Sequence, residues 1–96
     1  MNEIDNPKKF QELSEESKQF LLNWISRNLR PIKTINTNYS SYGIKHWVED
    51  EYPEEYFTNG EFKGAMLEAG YKVKDINAQN WHFNISEKSP YLMKKK

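Results

Sequence analysis

The feature that most constrains this chain is a high aromatic content without any long apolar run. Fourteen of the 96 residues are Phe, Trp or Tyr, while no uninterrupted apolar stretch exceeds three residues. Disordered chains lack such large apolar side chains, and a membrane-spanning helix needs about 20 consecutive apolar residues. Despite a mean hydropathy of −0.99, we therefore expect one small domain with an aromatic core and no membrane segment.

Cysteine is absent from the chain. This excludes disulfides, thiolate nucleophiles and cysteine zinc sites, and it fits a reducing compartment. Because no signal or transit peptide is recognisable, we expect a cytoplasmic protein.

The chain divides into an arm, a folded domain and a tail. Residues 1–13 are polar and contain a turn signal at Asn6 and Pro7, so we treat them as an N-terminal arm. Residues 14–86 carry the periodic apolar patterns and form the predicted domain. Residues 87–96 end in three lysines, and we expect a loose basic tail.

Two helices are predicted in the first half of the domain from apolar spacing and capping residues. Ser14 is the expected N-cap of a helix over about residues 15–29, with acidic residues in its first turn. Ser40 or Ser41 would cap a second helix, which Pro53 ends.

A third helix is predicted over residues 59–69 by the clearest local signal in the chain. Thr58 and Glu61 match a capping box, and Phe57 and Phe62 occupy the two positions of a hydrophobic staple.

Alternating patterns predict the strands. Residues 32–35 suit one short strand, and residues 71–74 and 81–86 alternate around a polar, turn-rich stretch, which predicts a β-hairpin. The hairpin would turn its apolar residues inward. Its predicted solvent face consists of Lys72, Lys74, His82, Asn84 and Ser86.

This order of elements predicts an α+β fold of the winged helix-turn-helix type: three helices, a short strand and a C-terminal β-hairpin wing. A three-helix bundle with an unrelated hairpin is the structural competitor. In a winged helix the third helix enters the major groove and the wing lies over the phosphate backbone. Nucleic-acid binding is therefore the first functional hypothesis.

The net charge of zero hides a segregation of charge. Residues 1–26 carry a net −2, residues 27–48 a net +4, residues 49–61 a net −6, residues 62–87 zero, and residues 88–96 a net +4. Because nucleic-acid binding rests on a basic footprint, any such surface must be local.

The predicted nucleic-acid contacts begin with the third helix. It would present Asn59 and Lys63 opposite its buried face, where these residue types read base edges or phosphates. Gly60 and Gly64 either let a partner's backbone come close or mark close packing inside the domain. The remaining candidates are Lys72 and Lys74 on the wing and Arg27 and Arg30 before the first strand.

The acidic block supports an alternative hypothesis, a protein-interaction module. An acidic run beside exposed aromatic residues would dock onto a basic partner surface, with the rings as anchors. The candidate residues are Glu49, Asp50, Glu51, Tyr52, Glu54, Glu55 and Tyr56. The two hypotheses are not exclusive.

Three segments carry a resemblance: YSSYGIKHW (residues 39–47), YFTNGEFKGAMLEAGY (residues 56–71) and NWHFNIS (residues 80–86). Together they resemble small winged-helix proteins encoded by phages and integrated mobile genetic elements of Gram-positive bacteria. The resemblance leaves the first helix uncovered, carries no catalytic residues, and implies a role in replication or regulation of the element. Within that setting, a more specific resemblance is to the small accessory proteins that partner a DNA polymerase in staphylococcal cassette chromosome elements.

No residue set in the sequence supports an enzyme, a cofactor or a metal site. The two histidines, His46 and His82, stand without a nucleophile or a phosphate loop. The carboxylates of residues 49–55 lack the glycine and spacing of a calcium loop. The expected partners are therefore DNA, duplex or single-stranded, and a replication protein encoded by the same element.

Overall fold

A computed structural model of the protein describes residues 2–95 and shows an α+β fold. Met1 of the predicted arm and Lys96 of the predicted tail lie outside the described residues. The helices are α1 (Glu15–Asn28), α2 (Ser41–Glu51), α3 (Asn59–Glu68) and the short α4 (Pro90–Met93). The strands are β1 (Pro31–Asn36) and β2 (Phe83–Ile85).

Two short 3₁₀ helices, Glu3–Asp5 and Pro7–Glu12, precede α1. Residues 2–12 are called the N-terminal segment below.

The three helices predicted from capping and spacing are confirmed, but a total of three helices is too few, because α4 and the two 3₁₀ helices are also present in residues 2–95. The Ser14 hydroxyl accepts from the Ser17 amide at 3.1 Å and caps α1, and the Ser40 hydroxyl accepts from the Gly43 amide at 3.2 Å and caps α2. At α3 the capping box is complete, with the Glu61 amide donating to Thr58 Oγ1 at 3.1 Å and the Thr58 amide donating to Glu61 Oε1 at 2.8 Å. Side chains thus satisfy amides that lack an intrahelical partner at all three starts.

The predicted hairpin between residues 71–74 and 81–86 forms only in part. β2 pairs antiparallel with β1, and residues 71–74 contribute only one bridge, between Val73 and Phe83. The order in space is therefore β1, β2, then the bridge at Val73.

Asn84 explains why the regular hairpin does not form. The alternating pattern places its side chain toward solvent, yet it is 5% exposed. Its Oδ1 accepts from the Lys72 amide at 2.7 Å, and its Nδ2 donates to the Ile32 carbonyl oxygen at 2.7 Å. One amide side chain thus replaces backbone hydrogen bonds on both sides of β2, which satisfies buried polar groups that a strand pattern alone does not reveal.

The aromatic core expected from the composition lies between the helices. Trp24 of α1, Phe62 of α3 and Trp81 before β2 are at most 2% exposed. Phe10 and Tyr91, which flank the predicted domain, belong to the same core. Burying each such side chain contributes about 1.5–3 kcal/mol, so both chain ends add to stability.

The C-terminal segment is not loose over its first residues. Tyr91 of α4 is 3% exposed and stacks on Trp47, with ring centroids 4.6 Å apart and an interplanar angle of 13°. Ser89 is buried, and its hydroxyl accepts from the Arg30 amide at 2.9 Å. The prediction of a loose tail therefore fails here, because two aromatic rings and a buried hydroxyl hold α4 to the domain.

The N-terminal segment lies directly on α3. A Cβ at Gly60 would be 2.3 Å from the Asn6 carbonyl oxygen, and one at Gly64 would be 2.3 Å from the Pro7 carbonyl oxygen. Such separations are below van der Waals contact, so only glycine admits the segment at these two positions. The two glycines therefore mark packing inside the domain.

Gly64→Ala should destabilise the protein by about 1–3 kcal/mol, because the added methyl group overpacks the contact with the N-terminal segment. The matched control is Gly43→Ala in α2, where a Cβ would meet only Ser40 Oγ at 3.7 Å. The control should be neutral or stabilising by up to about 1 kcal/mol. Urea unfolding measures both, and equal stability of the two variants would contradict the close contact.

Candidate nucleic-acid interface

Helix α3 does not expose the face that the sequence pattern assigned to nucleic acid. Asn59 is 4% exposed and Lys63 is 0% exposed. The prediction that they face solvent is wrong because α3 packs on the core with one side and on the N-terminal segment with the other, so that seven of its residues are buried. In the sequence, Gly60 and Gly64 indicate this second contact, because two glycines one helical turn apart allow another segment to pack closely on the helix.

Asn59 is the centre of a buried polar network. Its Nδ2 donates to Asp5 Oδ1 at 2.8 Å, to the Gln79 carbonyl oxygen at 3.0 Å and to Asn80 Oδ1 at 3.2 Å. Its Oδ1 accepts from Ser41 Oγ at 2.8 Å. One side chain of α3 thus contacts the N-terminal segment, α2 and residues 75–80, which we call the loop before β2.

Lys63 is a buried cation held by backbone oxygens and an aromatic ring. Its Nζ donates to the carbonyl oxygens of Asp5 at 3.1 Å and Ala78 at 3.4 Å, and lies 4.7 Å from the ring centroid of Trp81. Burial lowers the pKa of Lys63, an effect that the nearby Asp5 carboxylate opposes. The pKa of Lys63 is thus lower in the folded protein than in the unfolded chain. Keeping Lys63 charged at neutral pH therefore lowers the free energy of unfolding. Lys63 therefore connects α3 to the N-terminal segment and to the loop before β2, and its side chain is not accessible to a partner.

Asn59→Ala should lower the free energy of unfolding by about 2–4 kcal/mol, because several buried polar groups lose their partner together. The control is Asn77→Ala, at an exposed position of the loop before β2. This variant should stay within about 0.5 kcal/mol of wild type. Thermal unfolding compares the two. An Asn59→Ala protein as stable as the control would mean that the network contributes nothing.

The cations of residues 2–95 divide into paired and unpaired groups. Four lysines form ion pairs with glutamates, namely Lys9, Lys18, Lys45 and Lys94. Eight exposed cations have no carboxylate partner in the described part of the chain. Two of these, Lys8 and Lys95, lie near the chain ends. The other six are Arg27, Arg30, Lys33, Lys72, Lys74 and Lys88.

Four of these six residues lie on the two segments that flank β2. Arg30, Lys33, Lys72 and Lys74, which we call the basic sheet surface, lie on or just before β1 and on residues 71–74. These two segments flank β2, so they are about 10 Å apart at the spacing of neighbouring strands. Arg27 lies in the last turn of α1, and Lys88 follows β2 in the chain. The structure thus places three of the six predicted contacts, Arg30, Lys72 and Lys74, on the two segments that flank β2. Arg27 lies on α1, and Asn59 and Lys63 are buried in α3.

Arg30 is the most constrained of these cations. Its Nη1 donates to the carbonyl oxygens of Ser26 at 2.7 Å and Leu29 at 2.8 Å. Its charge also opposes the rise that burial causes in the pKa of Tyr71. The guanidinium is therefore held at the C-terminal end of α1 while the residue stays exposed, and Arg30 and Tyr71 line one cavity.

The acidic block is partly neutralised inside the domain. Glu49 accepts from Lys45 Nζ at 2.6 Å, and Glu51 accepts from Trp24 Nε1 at 2.8 Å and from Lys94. Asp50 and Glu54 are exposed and Glu55 is half-buried. The block therefore offers a weaker negative surface than its sequence indicates.

The two tyrosines of the acidic block have different environments. Tyr52 is half-buried and meets Phe20 edge to face, with centroids 5.0 Å apart. Tyr56 is 69% exposed. Only Tyr56 is therefore available as an anchor.

The pKa of Glu51 predicts a stability change in acid. Burial raises this pKa, but the hydrogen bonds from Lys94 and Trp24 outweigh burial and hold it below its ordinary value. The folded-state pKa is thus lower than the unfolded value of about 4.3. The contribution of Glu51 is present at neutral pH and is lost as the pH falls below about 4.

Glu51→Gln should be less stable than wild type by about 1 kcal/mol at neutral pH, and this difference should close near pH 3. Denaturant unfolding at both pH values measures it, with Glu54→Gln at an exposed position as the control. A difference that stays constant with pH would contradict the ionised contact.

A cavity of about 270 Å³ opens where α2, α3 and the N-terminal segment meet. Tyr42 and Tyr56 line it together with Lys45, and Gln79 and Asn80 contribute from the loop before β2. This site was missed in the sequence, because its residues are spread over segments that only the fold brings together.

No family model matches the chain, and no curated protein or solved structure is significantly similar to it. Within residues 2–95, no helix is long and apolar enough to cross a membrane. The same residues contain no group of three His, Asp or Glu side chains placed to hold a metal ion. Function must therefore be inferred from the chain itself.

Proposed function

We propose that the protein binds nucleic acid by contacting phosphate groups with its basic sheet surface, and that α3 has a structural role. The main support for the proposal is the difference between cations that form ion pairs and cations that do not. Four lysines elsewhere are paired with glutamates, while the cations around the sheet have no carboxylate partner within residues 2–95. When unpaired, exposed cations neutralise phosphates, the counterions condensed on the nucleic acid are released, and this release drives non-specific binding.

The order and pairing of the elements support a winged-helix arrangement for this function. β1 lies between α1 and α2, and β2 lies between β1 and the bridge at Val73. Residues 75–80 then take the place of the wing, which lies along the phosphate backbone in winged-helix proteins. Lys72 and Lys74 lead directly into this loop.

The covered α3 separates this proposal from major-groove reading by the third helix. For Asn59 or Lys63 to reach a base, the N-terminal segment would have to leave α3, breaking the Asn59 network and exposing the core residue Phe10. The basic sheet surface needs no such rearrangement.

The setting proposed for this activity is DNA replication or regulation on a mobile genetic element, supported by the resemblance of residues 39–47, 56–71 and 80–86. A second candidate in that setting is docking onto a basic surface of an element-encoded polymerase. The exposed Asp50, Glu54 and Tyr56 favour it. Co-purification of the polymerase with wild type, and its loss with Asp50→Lys/Glu54→Lys, is the result expected for docking.

Lys72→Glu/Lys74→Glu should weaken binding to oligonucleotides at low salt by at least tenfold. It should also make the plot of log affinity against log salt shallower by about 0.7–0.9 for each phosphate that the variant no longer neutralises. Lys8→Glu/Lys95→Glu makes the same change of charge away from the sheet and is the control. Fluorescence anisotropy at several salt concentrations measures both quantities.

Equal effects of the two double variants would show that only net charge matters and would contradict a local surface. No binding of wild type to duplex or single-stranded DNA at low salt would overturn the proposed function.

A further inference from the structure

Two exposed tyrosines border the cavity between α2 and the N-terminal segment. Tyr42 is 51% exposed and Tyr56 is 69% exposed, although tyrosine rings carry a large apolar surface. Both rings converge on one ammonium, with Lys45 Nζ lying 5.2 Å from the Tyr42 centroid and 4.8 Å from the Tyr56 centroid. Lys45 is itself 3% exposed. The cation therefore lies against two aromatic rings at the mouth of the cavity, and both rings stay partly exposed although Tyr42 also meets His46 edge to face at 4.6 Å.

The loop before β2 supplies polar groups to the same cavity. Asn80 Oδ1 accepts from Asn59 at 3.2 Å, and Gln79 Nε2 donates to Asp5 Oδ2 at 3.3 Å. These bonds orient both amides. Asn80 Nδ2 and Gln79 Oε1 have no partner in the described part of the chain. The cavity thus offers one donor and one acceptor on pre-oriented side chains.

The charges around the cavity cancel. Lys45 is paired with Glu49 at 2.6 Å. The Asp5 carboxylate lies near the buried Lys63 ammonium, whose pKa it raises against the effect of burial. A free anion or cation therefore gains little here. A neutral, planar group with both donor and acceptor atoms on its edge fits the rings and the amides together.

From this geometry we infer that the cavity is a subsite for one unpaired nucleobase of a single-stranded nucleic acid. Unpaired bases stack on tyrosine rings and hydrogen-bond through edges that are engaged in a duplex. The inference rests on the proposed function, because it assigns to that function a strand preference and a second contact.

The loop of residues 75–80 connects the basic sheet surface to the subsite along the chain. Lys74 is followed directly by the loop that carries Gln79 and Asn80, and its amide donates to the His82 carbonyl oxygen at 3.0 Å, which fixes the start of that loop. In this proposal a strand whose phosphates lie on Lys72 and Lys74 follows this loop and places a base in the cavity.

The test uses fluorescence anisotropy with three labelled probes of equal length: a thymidine oligonucleotide, the same strand with abasic sites, and a duplex. Wild type should bind the thymidine strand roughly 5- to 100-fold more tightly than the abasic strand, which has the same phosphates. Tyr42→Leu/Tyr56→Leu should lose this preference. The matched control, Tyr42→Phe/Tyr56→Phe, keeps both rings and should retain it to within about threefold.

Each outcome separates base binding from phosphate binding. Equal affinity of wild type for the thymidine and abasic strands overturns the base subsite, whether or not the leucine variant folds, and leaves phosphate binding in place. An unchanged preference in a folded leucine variant also overturns it. Failure of wild type to bind any of the three probes overturns the proposed function and the subsite with it.

Discussion

The packing of the N-terminal segment on α3 is the contact on which the rest of the structure depends. Gly60 and Gly64 allow the backbone of Asn6 and Pro7 to come closer than any Cβ would permit. Asn59 and Lys63 then satisfy polar groups of Asp5 that this approach buries. Removing the Asn59 side chain takes a hydrogen-bond partner from both Asp5 and Ser41, and an unsatisfied buried polar group costs more than the hydrogen bond itself contributes.

This contact determines where function can lie. With the N-terminal segment in place, α3 cannot present the buried Asn59 and Lys63 to a groove. These two side chains instead orient the loop before β2. The sheet beside it has the opposite character. Its cations are exposed and lack carboxylate partners within residues 2–95, whereas Lys45 and Lys94 are engaged by the acidic block. The charge segregation along the chain thus becomes a separation between internally paired and unpaired regions in space.

Local signals predicted local structure well. The capping residues Ser14 and Thr58 act within one helical turn, so their hydrogen bonds follow from spacing alone. The predicted face of α3 failed because polar residue type does not by itself mean exposure, and the partners of Asn59 and Lys63 lie far away in the chain. Asn84 failed for the same reason, since its bonds to Lys72 and Ile32 cross the sheet. The cavity between Tyr42 and Tyr56 is formed by four separate segments of the chain. Helical and strand periodicity in the sequence cannot predict which distant segments meet.

The central claim is that nucleic acid meets the sheet and the loop before β2 while the N-terminal segment stays on α3. Titration of labelled protein with a single-stranded oligonucleotide, followed by backbone amide chemical shifts, tests it most directly. We predict shifts at Lys72, Lys74 and residues 75–80, with the amides of Gly60 and Gly64 unchanged. Shifts concentrated at Gly60 and Gly64, with release of residues 2–12, would contradict the account and return the reading role to α3.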